Sequence, residues 1–193
     1  QYLGGIFLAA MFIALGIFIS ALFSNQISSL LTSAALGFVF LIFGFELVTA
    51  SMPLSLAPFL EQISALSHYG SLARGVIDFR DVWYFISATF IFLALAYLLL
   101  LRRKFGNRKV LYAKYQLIVV LFIAITLASN FAGASIPGRI DLTEGKLYTL
   151  TAATKKVLGN LAETVSITLY ESNELPAQMQ PVVREVKDIL RDY

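Results

Sequence analysis

The stretch RRKFGNRKVLYAK, residues 102–114, carries six cations (Arg102, Arg103, Lys104, Arg108, Lys109 and Lys114) and no acid. It lies between two apolar runs, residues 82–101 and 115–135, that contain no charged residue. Each run has the length of about 20 residues that a helix needs to cross the hydrocarbon core of a bilayer. Lysine and arginine beside such spans stay on the cytoplasmic side. The stretch therefore predicts a polytopic membrane protein with residues 102–114 inside. It also marks a seam, because the sequence changes character across it.

The composition agrees with a chain built for lipid. Of 193 residues, 58% are hydrophobic and 14% are charged, against about 25% charged in soluble domains. Mean hydropathy is +0.76. The net charge of +3 arises in the basic loop. Residues 1–101 hold two bases and four acids, residues 139–193 seven bases and eight acids, and residues 102–114 six bases. That distribution excludes a nucleic-acid surface, which would spread its cations over a folded face. There is no cysteine and one histidine, His68, so disulfides, thiolate chemistry and His-paired metal sites are not expected. Gln1 is not an initiator Met and Tyr193 falls inside a helical pattern, so the expectation is an internal fragment of a longer chain.

Outward from the basic loop, the remaining spans follow. Tyr2–Phe23 is uncharged, and small residues recur four apart in it (Gly5 and Ala9, Ala10 and Ala14, Gly16 and Ser20), the spacing that lets membrane helices approach closely. Ser24–Ser29 reads as a polar turn and Leu30–Thr49 as a second span, with Glu46 near its exit at headgroup depth. Residues 52–81 read as a helical hairpin. Pro53 and Pro58 break the preceding helix, and Leu56, Phe59, Leu60, Ile63 and Leu66 then form an apolar stripe. Ser67–Gly70 is expected to turn, Ser71 to cap a second short helix carrying Leu72 and Val76, and Asp78 or Asp81 to cap the third span. Trp83 and Tyr84 stand at that span's start, where amphipathic rings favour the interface. With the basic loop inside, the hairpin 52–81 and everything after Gly138 lie outside.

Beyond Gly138 the pattern becomes that of a soluble domain. Thr149 or Thr151 can cap a helix over residues 152–161 with Val157, Leu158 and Leu161 inward. Val165, Ile167 and Leu169 alternate with polar residues as in a half-buried strand. After Pro176, Val182, Val186, Ile189, Leu190 and Tyr193 form an apolar helix face, while Arg184, Glu185, Lys187, Asp188 and Arg191 face water. One such unit buries too little surface to stand alone, so it reads as the start of an α/β domain.

No catalytic constellation is visible. The Gly145–Lys146 pair is followed by Leu147 and has Ile140 where a phosphate-binding loop needs its first glycine, so it is not a nucleotide site. No catalytic, cofactor-binding or metal-ligating residue is assigned, and the chain is not expected to be an enzyme. His68 beside Tyr69 invites a proton-relay reading, against the simpler one of a histidine in an interfacial turn. Arg74, Asp78, Arg80 and Asp81 alternate in sign and read as local ion pairs or caps.

Two runs carry family resemblances. SHYGSLARGVIDFRDVWYFIS (Ser67–Ser87), preceded by two spans and followed by a basic stop, resembles the C-terminal half of ABC-2-type permeases of the gliding-motility-associated type. GRIDLTEGKLYTLTAATKKVLGNL (Gly138–Leu161) resembles the auxiliary, substrate-binding-like component of the same systems, matching at Asp141, Leu142, Thr143, Lys146, Tyr148, Leu150 and Thr154. The resemblances imply an α-helical polytopic membrane protein of about four transmembrane helices plus short interfacial helices, followed by the start of an extracytoplasmic α/β domain. Residues 1–105 would be the permease half, 106–114 a cytoplasmic linker, 115–137 a transmembrane anchor and 138–193 the truncated auxiliary domain. They further imply an export component of the bacterial inner membrane, in a dimeric permease arrangement, driven by ATP hydrolysis on a separate cytoplasmic ATPase subunit. Membrane lipid would be the other partner. The rival expectation is a non-transporting membrane anchor of an envelope or gliding machine.

Overall fold

The computed structural model describes residues 2–45, 48, 52, 56–105, 108–133, 139–143, 154, 156, 157, 160, 166–172, 179, 182, 183, 186 and 190. Within them run helices α1 (Tyr2–Leu22), α2 (Gln26–Ile42), α3 (Ala57–Ile63) and α4 (Ala65–Ala73), strand β1 (Val76–Asp78), helices α5 (Phe79–Phe105) and α6 (Lys109–Gly133), and strand β2 (Arg139–Asp141). Three helices, α1, α5 and α6, are long and apolar enough to cross a membrane, which is consistent with a multi-pass membrane protein. α2 is apolar but only 17 residues long, or about 25 Å at 1.5 Å per residue.

The bundle is built on α1 and α5, with α2 against α1 and α6 against α5. The buried side of α1 is Gly4, Met11, Ala14, Leu15 and Ile19, a stripe that repeats every three to four residues as a helix face must. Of the small residues expected to form a packing face only Ala14 is buried, while Ala9 and Ser20 are exposed. Gly4 makes the close approach to Tyr69 and Leu72, whereas Gly5 and Gly16 meet open space. Phe92 of α5 ties three helices together, stacking near Phe18 of α1 with ring centres 6.3 Å apart and meeting Phe40 of α2 edge-on at 5.9 Å. Most of α6 is exposed, including Leu117, Ile118, Leu121 and Ile125. Such a surface is apolar all round, as lipid-facing helices are.

The second helix starts earlier than its hydropathy suggests. Asn25 accepts the Ile27 N–H on its side chain at 2.9 Å and so turns the polar stretch 26–29 into the first turn of α2 rather than a loop. The helix ends at Ile42, and Gly44 then passes close to α4, where a Cβ would lie 2.6 Å from Leu66 Cβ and 3.1 Å from the Ser67 nitrogen. Glu46 lies outside the described residues.

The hairpin 52–81 holds two short helices, as expected, but in a different register. Ser67–Gly70 is not a turn and Ser71 is not a cap, because both lie inside α4. The break falls at Ser64, whose hydroxyl is a better-placed N-cap than Ser71. Val76 belongs to β1. Gly75, at φ 88°, supplies the left-handed turn that ends α4, a conformation that L side chains rarely adopt. β1 then pairs antiparallel with β2, Val76 opposite Asp141 and Asp78 opposite Arg139, so the entry to α5 is joined to the segment that leaves α6.

Beyond Thr143 the description is sparse. Residues 166–170 form no strand, and Ile167, Leu169 and Tyr170 are exposed. The alternation expected there has no neighbouring strand among the described residues to complete a ladder. Of the two helices expected nearby, Thr154, Lys156 and Val157, and Val182, Val183, Val186 and Leu190, are helical. The rest of both segments lies outside the described residues, and among the described residues no α/β domain is seen.

The fold predicts unequal responses to two glycine substitutions. Gly44→Ala should destabilise the bundle by about 1–3 kcal/mol, because the methyl overpacks α4. Gly5→Ala, which meets nothing within 4 Å, should be neutral or slightly stabilising through helix propensity. Thermal unfolding in detergent, followed by circular dichroism, distinguishes the two.

Candidate functional site

The site is built on the break between α3 and α4. A helix end leaves backbone carbonyls without intrahelical partners, and at the end of α3 Gln62 is exposed, Ile63 half-buried and Ser64 buried. Ser64 at the break is extended, φ −71° and ψ 126°. Its hydroxyl accepts the N–H groups of Leu66 (3.2 Å) and Ser67 (3.4 Å) and donates to Phe40 O of α2 at 3.4 Å. The Tyr84 hydroxyl of α5 donates to Ile63 O. Gln62 O faces His68 Nε2 at 3.0 Å.

His68 itself sits on the buried side of α4, 9% exposed, stacked on the Tyr84 ring with centres 4.0 Å apart. Its Nδ1 lies 2.8 Å from Asp81 Oδ1. Asp81, 1% exposed, stands in the first turn of α5, where Asp78 is the cap that accepts the Arg80 N–H at 2.9 Å. Arg80 Nε approaches Asp81 Oδ1 to 3.7 Å, too far for a hydrogen bond. Among the described residues, Asp81 Oδ2 and Arg80 Nε have no hydrogen-bond partner. The simpler reading of His68 is thus corrected: it lies in a buried helix, not in a turn. Asp81 is its partner rather than the cap of α5.

A second polar set joins α5 to α6. Asn130 Nδ2 donates to Ser87 Oγ (2.8 Å) and to Thr126 O (2.9 Å). Trp83 Nε1 donates to Ser129 Oγ at 3.0 Å. Trp83 and Tyr84 thus both serve as donors to the protein at the start of α5. In lipid no hydrophobic force drives two apolar helices together, and such bonds, with close packing, hold them.

The opposite end of the bundle carries the six cations. Arg103 donates to Ala21 O at 3.1 Å and closes the C-terminus of α1. Arg102, Arg103 and Lys104 lie in the last turn of α5, where the helix dipole favours cations. Arg108, Lys109 and Lys114 line, with Val110 and Leu111, a wide-open depression at the start of α6. There the dipole disfavours cations, so helix stability does not explain them. Among the described residues no group of three or more His, Asp or Glu could hold a metal ion.

Sequence reasoning singled out His68 and the charged run Arg74–Asp81 but did not join them. Histidine and aspartate 13 residues apart give no local pattern, and only the fold of α4 back onto α5 brings them together. The polar residues of α6 carried no sequence signal beyond an asparagine within an apolar run.

The α5–α6 contact yields a prediction. Asn130→Leu and Ser87→Ala should each weaken the packing of α6 by about 0.6–2 kcal/mol, the range for interhelical hydrogen bonds in membranes. The double variant should lose less than the sum. Unfolding of the four proteins in mixed micelles measures the coupling.

Comparison with known proteins touches only the C-terminal quarter. Residues 144–193 match a family described as a domain of unknown function, DUF7088. No curated protein matches the chain, and no solved structure does.

Proposed function

We propose that this chain is the membrane part of an ABC-type export system of the bacterial inner membrane. In this reading the second half of a permease is joined to the beginning of its auxiliary component. One observation carries the reading. Ser67–Ser87, which resembles the permease, forms the packed hairpin end of the bundle, and its strand β1 pairs with Arg139–Asp141 at the start of the second resemblance. The two segments are docked on each other rather than strung on a flexible tether. That arrangement suits two modules of one machine.

On this proposal α1, α2, α5 and α6 are four spans, α2 being short enough to require local thinning or tilt of its neighbours. The basic end is cytoplasmic, and the hairpin with residues 138–193 is extracytoplasmic. The cations at the start of α6, set against the helix dipole, support this orientation, since the positive-inside rule accounts for them and helix stability does not. A separate ATPase would supply the energy, and a second permease half would cover part of the exposed apolar surface.

Because the chain has no cysteine, orientation can be tested with single-cysteine variants. Arg74→Cys should react with a membrane-impermeant maleimide in intact spheroplasts, and Arg108→Cys only after permeabilisation. For the function itself, the full-length protein purified in mild detergent should retain an ABC ATPase in stoichiometric amount, with hydrolysis altered in the complex. Retention of envelope proteins without a nucleotide-binding subunit would move the reading to a non-transporting anchor.

A further inference from the structure

The donor geometry around His68 has a consequence independent of transport. Nδ1 faces a carboxylate oxygen and Nε2 faces a backbone carbonyl oxygen. Both partners are acceptors in their ordinary forms, whereas a neutral imidazole has only one N–H. For both contacts to be hydrogen bonds, one proton must lie between Nδ1 and Oδ1 and another on Nε2. The pair then carries two protons and no net charge, as imidazolium with carboxylate or as imidazole with carboxylic acid. Removal of one proton leaves a ring lone pair against an oxygen and a net negative charge in a buried place.

We propose that His68 and Asp81 form a proton-binding site that, when occupied, latches the α3–α4 hairpin onto α5. The proton moves between the pair and water with no other bond made or broken. Its loss removes the donor to Gln62 O, because the nearby carboxylate keeps the remaining ring proton on Nδ1. Among the described side-chain bonds, those of Tyr84 and Ser64 then remain at the end of α3.

Among the described side chains, none replaces that donor. Arg80 can balance the charge of Asp81 from 3.7 Å but makes no contact with Gln62 O. The Tyr84 hydroxyl is committed to Ile63 O. Asp78 on β1 is engaged with the Arg80 N–H, and Asp141 on β2 pairs across the sheet from Val76. Tyr69 is a neighbour on α4 itself and packs toward Gly4 of α1. α2 carries no ionisable residue, α1 only Tyr2, which is fully outside at 92% exposed, and α3 carries Glu61. The His68 ring is not sealed off, at 11% side-chain exposure, so a proton has a way in from the hairpin end.

The test uses full-length protein with ring-15N-labelled histidine in lipid nanodiscs, the His68 resonances being identified by their absence in His68→Phe. At low pH both ring nitrogens should carry protons. As pH rises one proton should leave, and amide protection over residues 57–73, corrected for intrinsic exchange, should fall at the same midpoint. The fall should be roughly tenfold or more, as loss of one charge-assisted hydrogen bond implies. Asp81→Asn, which keeps the shape and removes the carboxylate, should move both midpoints together. A His68 with a single ring proton throughout overturns the proposal. So does hairpin protection that stays flat while His68 titrates, or an Asp81→Asn protein whose midpoints match the wild type. If His68→Phe does not fold, Asp81→Asn carries the same comparison by itself.

Discussion

The bundle depends on how backbone groups are satisfied where α3 breaks into α4. A fully buried carbonyl or amide left without a partner destabilises by about 1–3 kcal/mol, and this break leaves several partly buried ones at once. Each is taken up by a side chain from a different place: Ser64 at the break itself, His68 on α4 and Tyr84 on α5. The Ser64 hydroxyl also reaches Phe40 O and so brings in α2. The hairpin is therefore positioned by hydrogen bonds, not by apolar burial alone. Ala65, Leu72 and Phe85 fill the remaining space together with Met11 of α1.

The two ends of the bundle embody opposite electrostatic solutions. At the hairpin end, ionisable groups are buried and matched to one another, and Asp81 is withdrawn from water almost completely. At the basic end, Arg102, Lys104, Arg108, Lys109 and Lys114 stay exposed, and among the described residues no acid pairs with them. Exposed charges of one sign interact with whatever lies beyond the protein, whereas a buried matched pair interacts within it. The first arrangement suits orientation in a membrane. The second suits a response to a single proton.

Between these ends, α6 packs along α5 and is fixed there by specific polar contacts. Its outward face is apolar, so lipid offers it no reason to prefer the protein. Asn130 and Ser129 supply that preference through Ser87 and Trp83, and Thr126 O holds both of them from within α6. The β1–β2 pairing then continues the connection past the end of the helix. Two short strands would be marginal by themselves. They persist here because α5 and α6 already hold their neighbouring ends together.

The sequence alone determined the class of molecule. Long uncharged runs and a segment of six cations between two of them point to membrane helices and their punctuation, because hydropathy and length are local properties. The bounds of α1, and the existence of α5, α6 and two short hairpin helices, were legible for the same reason, whereas α5 and α6 run on past the apolar stretches into the basic segment. What only the tertiary structure decided is which polar residues act together. Ser71 and Ser64 are equally good caps by type, and the packing of α4 on α1 and α5 selects Ser64. His68 and Asp81 become one site only when α4 folds back on α5, and Asn130 meets Ser87 across 43 residues of chain. Periodicity encodes a face to be buried, but it does not encode the partner that buries it. That choice is made by the three-dimensional competition of every buried donor for an acceptor.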